Sequence, residues 1–363
     1  MTLKRCRECG SPVMLARGYE WPGNGTIISR NDPSSRLAFF EAGYYPYVWS
    51  EFEDRLGFSV SGTALKSQRL GMQEYLASNI IYGWRRYALK TLSLKAVIGH
   101  LIDQVALFGF GHLELADYRR HKLLVMRMRN PFDIISIVDG MRGFFEIMEG
   151  TGSEVAWKRD GGEYVVTLIP GPRQEEKEER AEALRELRQA KHDIAGGPIP
   201  CEETAIEYCP SCGLPLGLTD LVWEENEGAV RIRQRGTRFV MSTGYIFLGI
   251  IRELEKRSGR DLESVVVEIS RDFHRDILKG VPIRTRGGAY RAATRYLSVG
   301  GFGEIVDSTY GEGHLEMTII NPFYPPRVVG RIAGLFEYVE GQEANINYRS
   351  PENQVLELEL TTS

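Results

Sequence analysis

Asn130-Pro131-Phe132, followed by Gly143-Phe144-Phe145-Glu146 and Gly150, is written a second time as Asn321-Pro322-Phe323, Gly334-Leu335-Phe336-Glu337 and Gly341, 191 residues later. Working outward, Arg36, Glu51-Phe52-Glu53 and Gly57 return 202 residues on as Arg238, Glu253-Leu254-Glu255 and Gly259. Further out still, Cys6-Arg7-Glu8-Cys9-Gly10 returns 203 residues on as Cys209-Pro210-Ser211-Cys212-Gly213. The order is kept and the spacing drifts only by small insertions, which marks a duplication. The reading is a first copy over 1–170, a charged linker over 171–200 and a second copy over 201–363. Two copies in one chain are expected to pack as a pseudo-twofold dimer.

Each copy reads alike. After the cysteine knuckle comes an extended stretch (Gly18–Ser29, Asp220–Ile232), then a strand (Arg36–Phe40, Arg238–Met241). A helix follows, with Tyr45, Trp49, Phe52 and Leu56 on one face and Phe247, Ile251 and Leu254 as counterparts. Gly57 and Gly259 stand where a helix end favours a left-handed residue. A second helix carries Leu65, Leu70 and Tyr75, or Val266, Ile269, Phe273 and Ile277. The segments Ala88–Leu107 and Arg291–Leu297 lead into Phe108-Gly109-Phe110-Gly111 and Gly301-Phe302-Gly303. Strands at Leu123–Met128 and Leu315–Ile320 stop at Asn-Pro, a helix follows each, and two strands close each copy. Between the copies, Glu175-Glu176-Lys177-Glu178-Glu179-Arg180 opens a helical linker whose apolar stripe (Ala183, Leu184, Leu187, Ile194) is thin, so it is expected to be solvated on most sides.

Composition sets limits. The 363 residues are 42% hydrophobic with net charge −4, enough for two ordinary cores and without a global pull toward nucleic acid or anionic membrane. Local basic runs such as Arg231-Ile232-Arg233 read as solvated faces. No apolar run reaches the roughly 18 residues of a bilayer span, and Met1-Thr2-Leu3-Lys4-Arg5 is no signal peptide. Four of the five cysteines lie in CxxC pairs, unlike a secreted disulfide framework. The expectation is a cytoplasmic protein with neither nucleic-acid nor membrane partners.

A CxxCG knuckle places two thiolates on one turn, and the glycine lets backbone N–H groups point at sulfur. Zinc takes four such ligands, and each copy supplies two. The economical arrangement is one structural zinc held by Cys6, Cys9, Cys209 and Cys212, bridging the copies. Iron in a rubredoxin-like site, a redox CxxC pair and an unmetallated pair stay open. Cys201 reads as a spare or buried thiol.

Other chemistry is thinner. His112 and His314 are not equivalent in the repeat, since His112 aligns near Glu304 and His314 near Lys122, and they read as locally bonded. Glu51, Glu53, Glu146 and Glu337 could serve acid–base work, but Glu51 and Glu53 point apart on a helix, so structural carboxylates are the plainer reading. The Gly-Phe-Gly segments are too short to cradle phosphate, and Rossmann, P-loop, GxSxG and HExxH patterns are absent. Asn-Pro-Phe reads as a strand end. Phe39, Phe40, Tyr44, Tyr45, Tyr47, Trp49 and Phe52 crowd into one stretch, either as core or as the lining of an apolar pocket.

The strand and helix ending at Leu56-Gly57, the helix around Ser67–Tyr75, the strand into Asn130-Pro131, and the helix Gly140 to Gly150 with Gly143-Phe144-Phe145-Glu146 carry a resemblance. So do Ser258-Gly259, Asn321-Pro322 and Gly334-Leu335-Phe336-Glu337 with Gly341. Each copy resembles the 4-vinyl-reductase-type domain, a small-molecule and hydrocarbon-binding family, and the related sensor domains of phenol- and toluene-responsive regulators. The resemblance implies an α+β unit, an antiparallel sheet packed on helices, in each of two tandem domains. The same general fold occurs in vesicle-tethering subunits that act as dimeric scaffolds. Those sensors bind zinc through cysteines near the late helix. No cysteine lies near Glu146 or Glu337 here, so that zinc site does not transfer.

The resulting expectation is a non-enzymatic sensory protein that binds an apolar or aromatic small molecule and signals to a protein partner. The pocket candidates are Phe40, Tyr44, Trp49, Phe110 and Phe144 in the first copy, and Phe247, Phe302 and Phe336 in the second. A zinc-stapled scaffold acting through protein contacts is the alternative, and a reductase or its accessory protein is the next.

Overall fold

The computed structural model describes residues 3–81, 94–173, 175–202, 204, 206–350 and 354–363. The beginning of the expected segment Ala88–Leu107 lies outside the described residues. The first half runs from a short helix α1 (Val13–Gly18) through β1 (Tyr19–Glu20), β2 (Ile27–Ser29) and β3 (Arg36–Glu41) to helices α2 (Tyr44–Leu56), α3 (Ser61–Asn79) and α4 (Leu94–Leu107). Then come β4 (His112–Arg119), β5 (Leu123–Arg129), α5 (Ile134–Glu149), β6 (Gly152–Asp160) and β7 (Glu163–Gly171). Helix α6 (Lys177–Ala195) crosses to a 3-10 turn (Leu216–Asp220), β8 (Leu221–Glu224), β9 (Ala229–Ile232) and β10 (Arg238–Thr243). The second half continues with α7 (Gly244–Ser258), α8 (Glu263–Ile277), α9 (Arg286–Gly300), β11 (Glu304–Gly311), β12 (His314–Ile320), α10 (Pro325–Glu340), β13 (Ala344–Arg349) and β14 (Val355–Thr362).

Local chemistry explains the boundaries. Gly57, Gly150, Gly259 and Gly341 end α2, α5, α7 and α10 in the left-handed conformation, which glycine enters without a Cβ clash. Asp133 caps α5, its carboxylate accepting from Ile135 N and Ser136 N. Helix α10 opens instead on Pro325-Pro326, whose missing N–H groups would have no helical partner anyway.

The architecture is mixed, with antiparallel sheets packed on helices. Two four-stranded sheets have the orders β4-β5-β7-β6 and β11-β12-β14-β13, covered by α5 and α10 respectively. A six-stranded sheet has the order β1-β2-β3-β10-β9-β8. At its middle β3 pairs antiparallel with β10, with Phe39 opposite Met241 and Phe40 opposite Val240. Both strands are buried on both faces. Ala38, Phe40 and Val240 belong to one hydrophobic core, while Leu37, Phe39, Phe239 and Met241 belong to the other. Side chains alternate across a strand, so a sheet shared between two cores needs apolar residues at nearly every position. The cores therefore draw on residues from both ends of the chain.

Two helix pairs pack closely behind the outer sheets. A Cβ on Gly143 of α5 would lie 2.2 Å from the carbonyl oxygen of Arg69 in α3. A Cβ on Gly334 of α10 would lie 2.3 Å from that of Arg271 in α8. Glycine at these positions lets the backbones approach. The thin apolar stripe of α6 is sufficient to dock it: Leu187, Ala190 and Ile194 are buried, and Leu187 rests against Gly249 of α7. Lys191, buried on the same stripe, pairs with Asp32 and with Glu74 at 3.7 Å. No helix among the described residues is long and apolar enough to cross a membrane.

Candidate metal centre and aromatic cluster

The two knuckles are built alike. Cys6 N donates to Ser11 O at 2.9 Å and Gly10 N to Cys6 O at 3.1 Å. Cys209 N donates to Leu214 O at 2.9 Å and Gly213 N to Cys209 O at 2.8 Å. Gly10 and Gly213 both have positive φ, 73° and 72°. The knuckles face each other. Cys6 Sγ lies 3.8 Å from Cys209 Sγ, and Cys9 Sγ lies 3.5 Å from Cys212 Sγ. All four sulfur atoms fall within 4.8 Å of one another. A tetrahedron with metal–sulfur bonds of about 2.3 Å has sulfur–sulfur edges of about 3.8 Å, so the group can hold a metal ion with little rearrangement.

The electrostatics are uneven. N–H groups of Cys9 and Glu8 aim at the Cys6 sulfur and lower its thiol to about 7. Burial raises Cys209 and pushes Cys212 up to about 12. Four neighbouring thiolates repel one another, and a cation among them is what would ionise the whole set. Cys6 and Cys209 are buried and Cys9 and Cys212 half-buried. Four protein sulfurs fill a tetrahedral ion's coordination, the closed arrangement of a structural site. Cys201 is not among the four.

Contacts beyond the knuckles are also exchanged between the halves. Trp21 Nε1 donates to Val299 O at 3.0 Å, and Trp223 Nε1 to Leu107 O at 3.0 Å. Arg238 on β10 donates to Gly109 O and Asn130 O, both at 2.8 Å. Arg36 on β3 donates to Gly301 O at 3.4 Å, to Pro322 O at 3.4 Å and to Asn321 O. The Asn-Pro segments are thus more than strand ends. Asn130 and Asn321 sit at φ 48° and 52°, presenting their carbonyls to the arginines. The recurrence of arginine and asparagine in matching places was the available signal. The Gly-Phe-Gly segments are crossing points of backbone. A Cβ on Gly25 would lie 2.0 Å from the carbonyl carbon of Gly303, and one on Gly228 2.0 Å from that of Gly111.

The aromatic candidates do not sort by copy. Phe40, Tyr44, Phe247, Phe302 and Phe336 are buried in one core, with Trp49 half-buried against it. Phe144 is buried in the other core, and half-buried Phe110 adjoins both. Within the first group the rings contact one another: Phe40 with Phe302 at 5.6 Å, Tyr44 with Phe247 at 6.1 Å and Trp49 with Phe247 at 5.7 Å between centroids. A surface groove of about 550 Å³ lies elsewhere, between Leu3, Ile102, His112, Arg129 and Glu225, and a cleft of about 50 Å³ lies where α6 meets α3 and α7. None of the eight aromatic candidates lines either one.

Sequence reasoning missed the charged groups inside this cluster. Arg327 of α10 is fully buried, its guanidinium 3.8 Å from the Tyr44 ring centroid and 4.1 Å from that of Phe40. Glu41, also buried, receives Arg331 Nη2 at 2.6 Å and Nη1 at 3.2 Å. His274 Nε2 lies 3.5 Å from Glu41, and its Nδ1 contacts Ser270 O at 2.6 Å. Burial, then the Arg331 charge, lowers His274 toward the neutral imidazole. An arginine alone on an otherwise apolar helical face, as in Pro325-Pro326-Arg327-Val328-Val329, was the signal.

The remaining candidates are engaged locally. His112 bonds Glu114 at 3.0 Å. His314 lies beside Glu316 and Glu359, a second group of three possible ligand atoms on an open sheet face. Glu51 pairs with Arg55 at 3.5 Å. Glu53 caps α3, accepting from Val60 N at 2.8 Å and Ser61 N at 3.2 Å. Glu146 accepts from Gln73 at 2.8 Å and Ser153 at 2.9 Å, and Glu337 from Arg275 at 2.8 Å.

Comparison of the chain with family models, curated proteins and solved structures gives no match.

Proposed function

We propose that the chain is a non-enzymatic small-molecule-binding protein, a fused pseudo-twofold dimer of two 4-vinyl-reductase-type domains stapled by one zinc ion. The observation that carries this reading is the convergence of Cys6, Cys9, Cys209 and Cys212 from knuckles 203 residues apart. Soft thiolates in a tetrahedral set suit zinc and also iron; zinc is the assignment here, as the redox-inert ion of closed structural sites. The pseudo-dimer is supported by the matched exchanges of Trp21 with Trp223 and Arg36 with Arg238, and by the identical winding of the two outer sheets. The ligand is an apolar or aromatic small molecule held among Phe40, Tyr44, Trp49, Phe247 and Phe302, and its binding is passed to a protein partner.

A second reading, a zinc-stapled scaffold working through protein contacts, is favoured by the mutual packing of those same rings. Native mass spectrometry of the purified protein, compared with its denatured mass, separates the two. A non-covalent organic mass in addition to one zinc supports ligand binding. Zinc alone, with no uptake of added toluene or phenol, supports the scaffold.

A further inference from the structure

Arg327 carries five N–H donors, and none of its three nitrogens has a hydrogen-bond partner among the described residues although all are buried. Its ion-pair contact among the described residues is to Glu41, at 3.9 Å. That carboxylate is already clasped by both terminal nitrogens of Arg331. Two guanidinium groups therefore share one carboxylate, and the neighbouring histidine is held toward neutrality. Four rings surround the Arg327 guanidinium, with Phe302 and Phe247 at 5.3 Å and 5.9 Å beyond Tyr44 and Phe40. Ring faces attract a cation, but they accept few hydrogen bonds and supply no counter-charge. A buried cation in this state lacks a hydrogen-bond acceptor and has only a share of one carboxylate as its counter-charge.

We propose that Arg327 is the anchor of an anion site, and that the ligand of the aromatic cluster is a small organic carboxylate. Its carboxylate takes the guanidinium in the two-point geometry that arginine favours, and its apolar part lies among Phe40, Phe247 and Phe302. The site deepens the ligand reading above and rests on it. Phe247 contacts the half-buried Trp49 and Tyr324 as well as Arg327. The matching position on α5 is Ser136, which offers no charge, so the site belongs to the α10 side alone.

The test is calorimetric titration and thermal unfolding of the full chain with benzoate, benzamide and toluene, on wild type, Arg327→Met and Arg327→Lys. Wild type is expected to bind benzoate saturably, at least about ten-fold tighter than benzamide, its neutral isostere. Arg327→Met should retain its metal and lose that preference. Arg327→Lys, which keeps the charge without the fork, should weaken benzoate by about ten-fold or more. Equal binding of benzoate and benzamide, or an unchanged benzoate preference in Arg327→Met, overturns the anion site. The comparison within wild type stands even where a variant fails to fold. Binding of toluene without benzoate overturns the carboxylate while keeping the apolar-ligand reading, and binding of none of the three overturns both.

Discussion

Arg238 donates from Nη2 to the carbonyl oxygen of Gly109 at 2.8 Å, across 129 residues of chain. Its counterpart Arg36 reaches the carbonyls of Gly301 and Asn321 across an even longer separation. Each arginine stands on a central strand of one half and donates to carbonyls of the other, in buried bonds for Arg36 and partly buried ones for Arg238. These hydrogen bonds link the two halves on both sides of the shared sheet's centre.

Replacing Arg36 should therefore be costly. Arg36→Met leaves the Asn321 and Gly301 carbonyls without their donor, and a hydrogen bond to a charged group contributes about 1.5–3 kcal/mol. A loss of about 3 kcal/mol in denaturant unfolding is expected. Arg30→Met, which breaks a half-exposed pair with Glu20, should cost under about 1 kcal/mol. Equal small losses would contradict this assignment.

Gly143 and Gly334 should refuse even a methyl group. The added Cβ would meet a backbone carbonyl oxygen at 2.2 Å or 2.3 Å, and backbone cannot step aside as a flexible side chain can. Gly143→Ala and Gly334→Ala should each cost about 2–3 kcal/mol. Gly62→Ala, near the start of α3 with open space around it, should be neutral or stabilise by up to about 0.5 kcal/mol. Paired urea melts would test the contrast.

Acid should loosen the docking of α6. Burial alone would raise Asp32, but the Lys191 ammonium and the Ser34 and Ser35 hydroxyls override it and hold the carboxyl down at about 2. The folded chain thus binds this proton more weakly than the unfolded chain. The stability it lends is fully present above about pH 4 and is lost as pH falls toward about 2. At neutral pH that contribution is about 2 kcal/mol. Asp32→Asn should lower stability at pH 7 by that order and flatten the acid limb of a stability-versus-pH curve. An unchanged acid limb would contradict it.

Much of this was legible in the sequence because it is local. The strands at Arg36 and Arg238, the glycine-ended helices and the paired CxxCG knuckles all announce themselves within a few residues. The pairing of β3 with β10 does not, because a strand's partner is a long-range choice. Both strands read as apolar because both faces are buried, which the sequence could equally assign to a core strand of one half. Asn130 and Asn321 read as strand ends because their work lies in the carbonyls they offer to a distant arginine. The thin stripe of α6 announces a helix solvated on most sides, and its docking depends also on a buried Lys191 paired with Asp32, a partner the local sequence does not reveal. The aromatic residues were recognisable as a cluster, but that the cluster draws on both halves was not, because Phe40 packs against Phe302 and Tyr44 against Phe247 within one core on one face of the shared sheet.

On the proposed reading, one zinc ion ties the two knuckles together. Elemental analysis of the purified chain tests it most directly, with Cys209→Ser and Cys201→Ser measured beside it. The expected result is one zinc per wild-type chain, one in Cys201→Ser, and a large loss in Cys209→Ser with a lower unfolding temperature. A wild-type chain without metal, or a Cys209→Ser chain that keeps its full complement, would contradict it.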